Sequence, residues 1–283
     1  MSQITVFGLR RELTSFLEAH LGAEAAPTVR GLLATEWGWS LTDMALRQQD
    51  AVPQAEADRL RHMAARLAAH EPLQYVCGRC DFRGLTLGVG PGVLIPRPET
   101  EQLVELARQW ANGRSGLRVM DIGTGSGCIA IALSHELNGA AVSAIDFSAE
   151  AVERARANAR GTGVRVWRQD ILTAEPESLG TYDIVVSNPP YVRQSERAAM
   201  EANVLEQEPA SALFVPDDDP LVFYSHITQL CAGGLLAAGG GVFFEINEAL
   251  GRETVEMMTA AGLRDAGLRQ DYLGKDRFAF GFV

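Results

Sequence analysis

Residues 117–127 read Leu-Arg-Val-Met-Asp-Ile-Gly-Thr-Gly-Ser-Gly. An apolar run passes into three alternating glycines, and Ile129, Ala130, Ala132 and Leu133 then continue with helical spacing. The order strand, glycine turn, helix is half of a βαβ unit. Glycines at 123, 125 and 127 allow backbone to approach a ligand that a Cβ would push away. The amide donors at the start of the following helix face the same place. The spacing is GxGxG, with Cys128 where GxGxxG would put its last glycine. A nucleoside site matches this better than a dinucleotide pyrophosphate site.

Downstream the alternation continues. A strand at 141–145 ends in Asp146, placed to accept hydrogen bonds from both hydroxyls of a ribose. A helix at 149–160 leads to a strand at 164–167 that ends near Asp170, which suits an adenine amine or an ordinary turn. The next strand, Tyr182-Asp183-Ile184-Val185-Val186, is short and β-branched and lacks alternation, as a buried parallel strand should be. It delivers Ser187-Asn188-Pro189-Pro190-Tyr191 just beyond its C-terminal end, where open α/β sheets bind ligands. Asn188 both donates and accepts, the two prolines lack N–H groups and leave carbonyls available, and Tyr191 adds an aromatic face. Such a unit suits a planar N–H₂ group. An isolated NPP is equally a proline turn closing a strand, and a glycine turn with a ribose acid also occurs in dehydrogenases; the combination is far more specific.

Helices at 220–231 and 252–261 and strands at 239–246 and 276–283 complete the pattern. The expected fold is α/β, a doubly wound seven-stranded sheet with its last strand antiparallel. Upstream, apolar residues recur at helical spacing from Leu9, Leu13, Phe16 and Leu17 to Leu60, Met63 and Leu67, with Pro27 and Pro53 at helix starts and Asp43 and Asp50 in polar breaks. This predicts an N-terminal bundle of about four helices over 1–74, without catalytic groups and suited to partner recognition. Alternating apolar and glycine residues over 75–95 predict a β-hairpin linker. The remainder, 96–283, forms the third unit, opened by Pro96-Arg97-Pro98-Glu99-Thr100-Glu101 and a helix through Leu103, Val104, Leu106 and Ala107.

The chain has 283 residues, is 47% apolar and carries a formal charge of −11, so a sizeable core is available and no basic run offers itself to nucleic-acid phosphates. Cys77 and Cys80 form a lone CxxC without a second half or a nearby histidine, so no metal site is expected. No stretch reaches the length of a membrane span and the N-terminus lacks the order of a signal peptide, so the expected setting is the cytoplasm.

The order of motifs resembles the class I S-adenosylmethionine-dependent methyltransferases, with Asp121-Ile-Gly-Thr-Gly-Ser-Gly127 as cofactor loop and Asn188-Pro189-Pro190-Tyr191 as acceptor-amine motif. More closely it is similar to the release factor glutamine N5-methyltransferases. EPLQYVCG at 71–78, VLIPRPETE at 93–101, EPASAL at 208–213 and FFEI at 243–246 all stand in family order, while Asn247 replaces a common glycine. The resemblance implies S-adenosylmethionine as cofactor, S-adenosylhomocysteine as product, and class 1 peptide chain release factors as protein substrate. It implies cofactor contacts from Asp121, Gly123, Thr124, Gly125, Gly127, Asp146, Asp170 and Asn188. The acceptor would meet Asn188, Pro189, Pro190, Tyr191 and Arg97, with Glu99 nearby, and Asn188, Pro189 and Tyr191 would carry catalysis. A monomer without direct nucleic-acid contact is expected. The alternatives are a nucleic-acid amine methyltransferase (adenine N6 or guanine N2) and a non-catalytic nucleoside-binding module.

Overall fold

A computed structural model describes residues 3–200 and 202–283. Two compact units emerge among the described residues: 3–79 together with 202–207, and 80–200 together with 208–283.

The first unit is helical: α1 (Val6–Leu21), α2 (Ala25–Trp37), α3 (Leu41–Leu46), α4 (Gln54–Ala68) and α5 (Leu73–Cys77). Leu9, Leu13, Leu17, Val29, Leu32, Leu33, Leu60 and Leu67 form its buried core. Phe16, which shares their spacing, is instead exposed. Thr5 caps α1 by accepting from Gly8 N at 3.2 Å. Gly38 ends α2 in the left-handed conformation, with Trp37 and Trp39 on either side. Pro53 is the N-cap residue of α4, while Pro27 lies at the third position of α2. Asp43 departs from the expected polar break. It is the third residue of α3 and forms a reciprocal capping box with Ser40, so its carboxylate starts a helix.

The second unit begins with the predicted hairpin, β1 (Arg79–Phe82) and β2 (Leu85–Gly88), and α6 (Pro98–Ala111). Then follow β3 (Arg118–Ile122), α7 (Cys128–Glu136), β4 (Ala141–Asp146), α8 (Ala149–Asn158), β5 (Arg165–Arg168), α9 (Pro176–Leu179) and β6 (Tyr182–Ser187). After the short β7 (Val192–Arg193) the chain forms α10 (Ala202–Gln207), which belongs to the first unit. The second unit then continues with β8 (Phe214–Val215), α11 (Val222–Leu230), β9 (Leu236–Glu245), α12 (Gly251–Ala260), β10 (Arg264–Gln270) and β11 (Asp276–Phe282). The large sheet has seven strands in the order β10-β11-β9-β6-β3-β4-β5. β11 runs antiparallel to both of its neighbours, β10 and β9, and the other paired strands are parallel.

Alternate residues of the central strands feed two cores. Val119, Ile184, Val186 and Phe243 pack with α6 and α7 on one face. Met120, Val185, Val242 and Phe244 pack with α11 and Met258 of α12 on the other. Both faces are therefore covered, which is why these strands read as unbroken apolar runs. From β3 the chain winds outward through β4 and β5, then returns to place β6 on the other side of β3. That reversal leaves a crevice at the C-terminal ends of β3, β4 and β6.

Candidate active site

A cavity open to solvent occupies that crevice. Its walls include the glycine loop, Asp146 and Phe147 after β4, Asp170 and Ile171 after β5, Asn188 to Pro190 after β6, and Arg97 and Thr100 from the start of α6.

The loop is held from beneath. Gly123, Gly125 and Gly127 have φ of 72°, 56° and 85°, the left-handed region that favours glycine. Gly123 N and Thr124 N both donate to Ile145 O, at 2.9 and 3.0 Å. Gly125 N donates to Asp146 Oδ2 at 2.9 Å, and Ser148 N to Asp146 Oδ1 at 3.0 Å. Asp146 thus fixes the loop and still borders the cavity, where its remaining lone pairs are available to hydroxyl donors. Asp170 closes a turn, its Oδ1 accepting from Leu172 N at 3.0 Å, and the residue lines the cavity.

Two of the expected cofactor residues, Gly127 and Asp121, are absent from the cavity wall. Asp121 is fully buried under the loop. Its Oδ2 accepts from Thr124 Oγ1 at 2.6 Å and Ala130 N at 3.2 Å, while Oδ1 is buried with no hydrogen-bond partner. Burial pushes its carboxyl up to about 7, and the Asp146 charge adds to the rise. A folded-state value raised above the ordinary 3.8 means that the folded protein holds a proton the unfolded chain has released. Stability from this group therefore falls as pH rises from about 3.8 to about 7. Asp121→Asn has nothing to titrate, so its melting temperature should gain on the wild type between about pH 5 and about pH 8. Calorimetry at both values checks this, and parallel shifts would contradict it.

On the opposite wall, Ser187 Oγ donates to Ile122 O at 2.6 Å, tying the end of β6 to β3. Asn188 Nδ2 donates to Thr100 Oγ1 at 3.2 Å. Thr100 Oγ1 donates to Glu245 Oε2 at 2.8 Å, and the Tyr191 hydroxyl donates to Glu245 Oε1 at 3.1 Å. Burial raises the Glu245 carboxyl above its ordinary value, against the hydrogen bonds from Thr100 and Tyr191 and the charge of Arg277. Tyr191 does not line the main cavity. It walls a smaller neighbouring recess, ≈ 310 Å³, shared with Leu94, Arg97, Asn188, Val192, Ala212 and Leu213. Asn188 and Arg97 border both spaces. Arg97 pairs with Glu208 at 2.6 Å, and Glu208 also accepts from Ile95 N at 3.1 Å. Glu99 sits in the first turn of α6, outside both walls.

Thr100, Glu208, Glu245 and Asn158 carry this architecture without having been singled out from the sequence as site residues. Asn158 accepts from Gly88 N at 2.8 Å and donates to Gly88 O and Ser126 O at 2.9 and 2.8 Å, joining hairpin, glycine loop and α8. The available signal lay in the PETE and FFEI segments, but no spacing rule connects them. Asn247 ties the structure together: its Nδ2 donates to Tyr191 O at 3.1 Å and Glu196 Oε2 at 3.0 Å. Burial raises the thiols of Cys77 and Cys128 to about 12, and that of Cys80 upward, which disfavours thiolate chemistry. Among the described residues no cluster of three or more potential metal ligands occurs, and no helix is long and apolar enough to cross a membrane.

Residues 101–214 match the Methyltransferase small domain family, so fold and site define a methyltransferase. Residues 8–78 match the PrmC N-terminal domain. Release factor glutamine methyltransferases from Bacteroides thetaiotaomicron and Geobacter sulfurreducens are 47% and 34% identical to the chain. The first match covers 77% of this chain and 78% of the relative, the second 96% of each. The chain belongs to the release factor glutamine methyltransferase family. Among solved structures, the hMettl16 catalytic domain in complex with a MAT2A 3'UTR hairpin shares the fold, with a TM-score of 0.57 at 18% identity over 76% of this chain and 81% of that one. A release factor-specific protein-(glutamine-N5) methyltransferase from Alicyclobacillus acidocaldarius is 30% identical over 69% of this chain and 98% of that one, with a TM-score of 0.43.

Proposed function

We propose that the protein transfers the methyl group of S-adenosylmethionine to the side-chain amide nitrogen of the glutamine in the GGQ motif of class 1 peptide chain release factors, releasing S-adenosylhomocysteine and, from the nitrogen, one proton to solvent. One observation carries the reading: Asn188 and Pro189, the groups suited to an acceptor amide, border the same cavity as the glycine loop and Asp146.

The residues fit the cofactor. The left-handed glycines leave backbone where side chains would intrude, and no heavy atom lies within 4 Å of a Cβ added at Gly123. Asp146 offers acceptors for ribose hydroxyls, Asp170 an acceptor for an adenine amine, and Phe147 and Ile171 apolar surface for a base. Gly125, Gly127 and Thr124 shape the loop, with Asp121 holding it from below. When bound, S-adenosylmethionine supplies an electrophilic methyl group on a sulfonium.

The acceptor is an amide nitrogen whose lone pair is delocalised into its carbonyl. Asn188 Oδ1 and the Pro189 carbonyl accept its two hydrogens, turn the lone pair toward the methyl group and stabilise positive charge growing on nitrogen. Each contact contributes up to roughly 3 kcal/mol in the transition state, and alignment supplies much of the rest. Pro190 lines the main cavity and Tyr191 the adjoining recess, and Arg97, braced by Glu208, borders both. A chain this acidic argues against a nucleic-acid substrate held through its phosphates.

The test supplies labelled S-adenosylmethionine with a release factor, its GGQ glutamine variant, and nucleic acid in parallel. Label in the release factor alone supports the proposal. Label in nucleic acid alone overturns it in favour of base methylation, and absence of label everywhere points to a binding module.

A further inference from the structure

Glu245 ends β9 with 1% of its surface exposed, an expensive place for a carboxyl group that an apolar side chain would fill without desolvation cost. Both of its oxygens are engaged by hydroxyls at the acceptor end of the site, Thr100 on Oε2 and Tyr191 on Oε1. Resting on the function just given, we propose that Glu245, acting through Thr100, is a positioning residue that holds the Asn188 amide with its oxygen toward the cavity.

The direction follows from counting hydrogens. Thr100 has one hydroxyl hydrogen, and the 2.8 Å bond to Glu245 Oε2 uses it. Thr100 Oγ1 then has only lone pairs to offer, so the Asn188 group 3.2 Å away must be the donor Nδ2. The amide is planar, with oxygen and nitrogen on opposite sides. Turning Nδ2 to Thr100 therefore turns Oδ1 away from it, toward the cavity that Asn188 lines. Without a directed hydroxyl, Thr100 no longer distinguishes this amide orientation from the reversed one. The reversed one presents N–H₂ to the acceptor's own N–H₂, donor against donor. Ser187 and Asn247 hold the neighbouring backbone, whereas the Thr100 bond acts on the Asn188 side chain itself.

Four proteins test this: Thr100→Val, Thr100→Ser, Glu245→Gln and the Thr100→Val/Glu245→Gln double variant. Valine keeps the shape and loses the hydroxyl, while serine does the reverse. We expect Thr100→Val to lower kcat for release factor methylation by about tenfold or more, with the Kd for S-adenosylhomocysteine within about threefold of wild type. Thr100→Ser should recover kcat to within about threefold. Glu245→Gln should lower kcat alone and cost nothing further in the Thr100→Val background. In nitrogen–proton spectra, the Asn188 Nδ2 resonances should move in Thr100→Val and stay in Thr100→Ser. A packing role gives the opposite order, valine active and serine impaired, and overturns the proposal. So do additive losses from Thr100→Val and Glu245→Gln. If the wild type itself methylates no release factor, the proposed function has failed, and the Asn188 resonances decide the positioning role by themselves.

Discussion

Asn188→Ala should reduce methyl transfer by at least two to three orders of magnitude while leaving the Kd for S-adenosylhomocysteine within about threefold of wild type. The substitution removes the side chain that borders both the main cavity and the neighbouring recess, and leaves the glycine loop and Asp146 untouched. Backbone at that position is held independently, through Ser187 Oγ on Ile122 O and through Asn247 on Tyr191 O. Loss of the amide therefore removes acceptor alignment without loosening the nucleoside site. Calorimetric titration with S-adenosylhomocysteine beside a steady-state methylation assay separates the two effects. A parallel collapse of cofactor binding would mean that Asn188 serves the cofactor instead.

Gly127→Val should do the reverse, weakening cofactor binding and the fold together. At φ of 85°, any side chain is strained, and a β-branched one most of all. The first added carbon already sits 3.2 Å from Ile131 Cδ1, 3.3 Å from Ala155 Cβ and 3.4 Å from Ala155 Cα. Relief requires α7 to part from α8, and with it the loop that begins α7. Strain and overpacking together cost about 2–4 kcal/mol, which lowers the melting temperature by roughly 5–15 °C in a unit of this size. Gly161→Val is the control, since Gly161 shares a positive φ of 82° but has nothing within 4 Å of an added Cβ. It pays backbone strain alone and should keep full cofactor affinity. Equal effects at the two positions would remove the close approach of α7 and α8 as the cause.

The strands that build the crevice are readable because they are buried on both faces and carry apolar runs: Val119-Met120 in β3 and Ile184-Val185-Val186 in β6. β10 escaped for the converse reason. Arg264-Asp265-Ala266-Gly267-Leu268-Arg269-Gln270 lies at the sheet edge, is largely exposed, and has no apolar period to detect. Its place is set by antiparallel pairing with β11, a long-range fact. The same divide runs through the site. Glycine loop, Asp146 and Asn188-Pro189 each sit at the end of a recognisable strand, so position followed from pattern. Thr100 meets Glu245 across 145 residues and Arg97 meets Glu208 across 111. Polar pairs of that kind are made by the fold, and no local spacing marks them beforehand. Asp121 illustrates a further limit: an aspartate at the end of β3 suits a cofactor contact, yet the register turns its carboxylate under the loop.

The most direct test of the proposed activity is the mass of the GGQ-bearing peptide from a release factor incubated with the protein and S-adenosylmethionine. The expected result is one added methyl group, assigned by fragmentation to the glutamine side chain, and none when Asn188→Ala replaces the wild type. An unmodified glutamine in the presence of active, cofactor-binding protein, or a methyl group on any other residue, would contradict it.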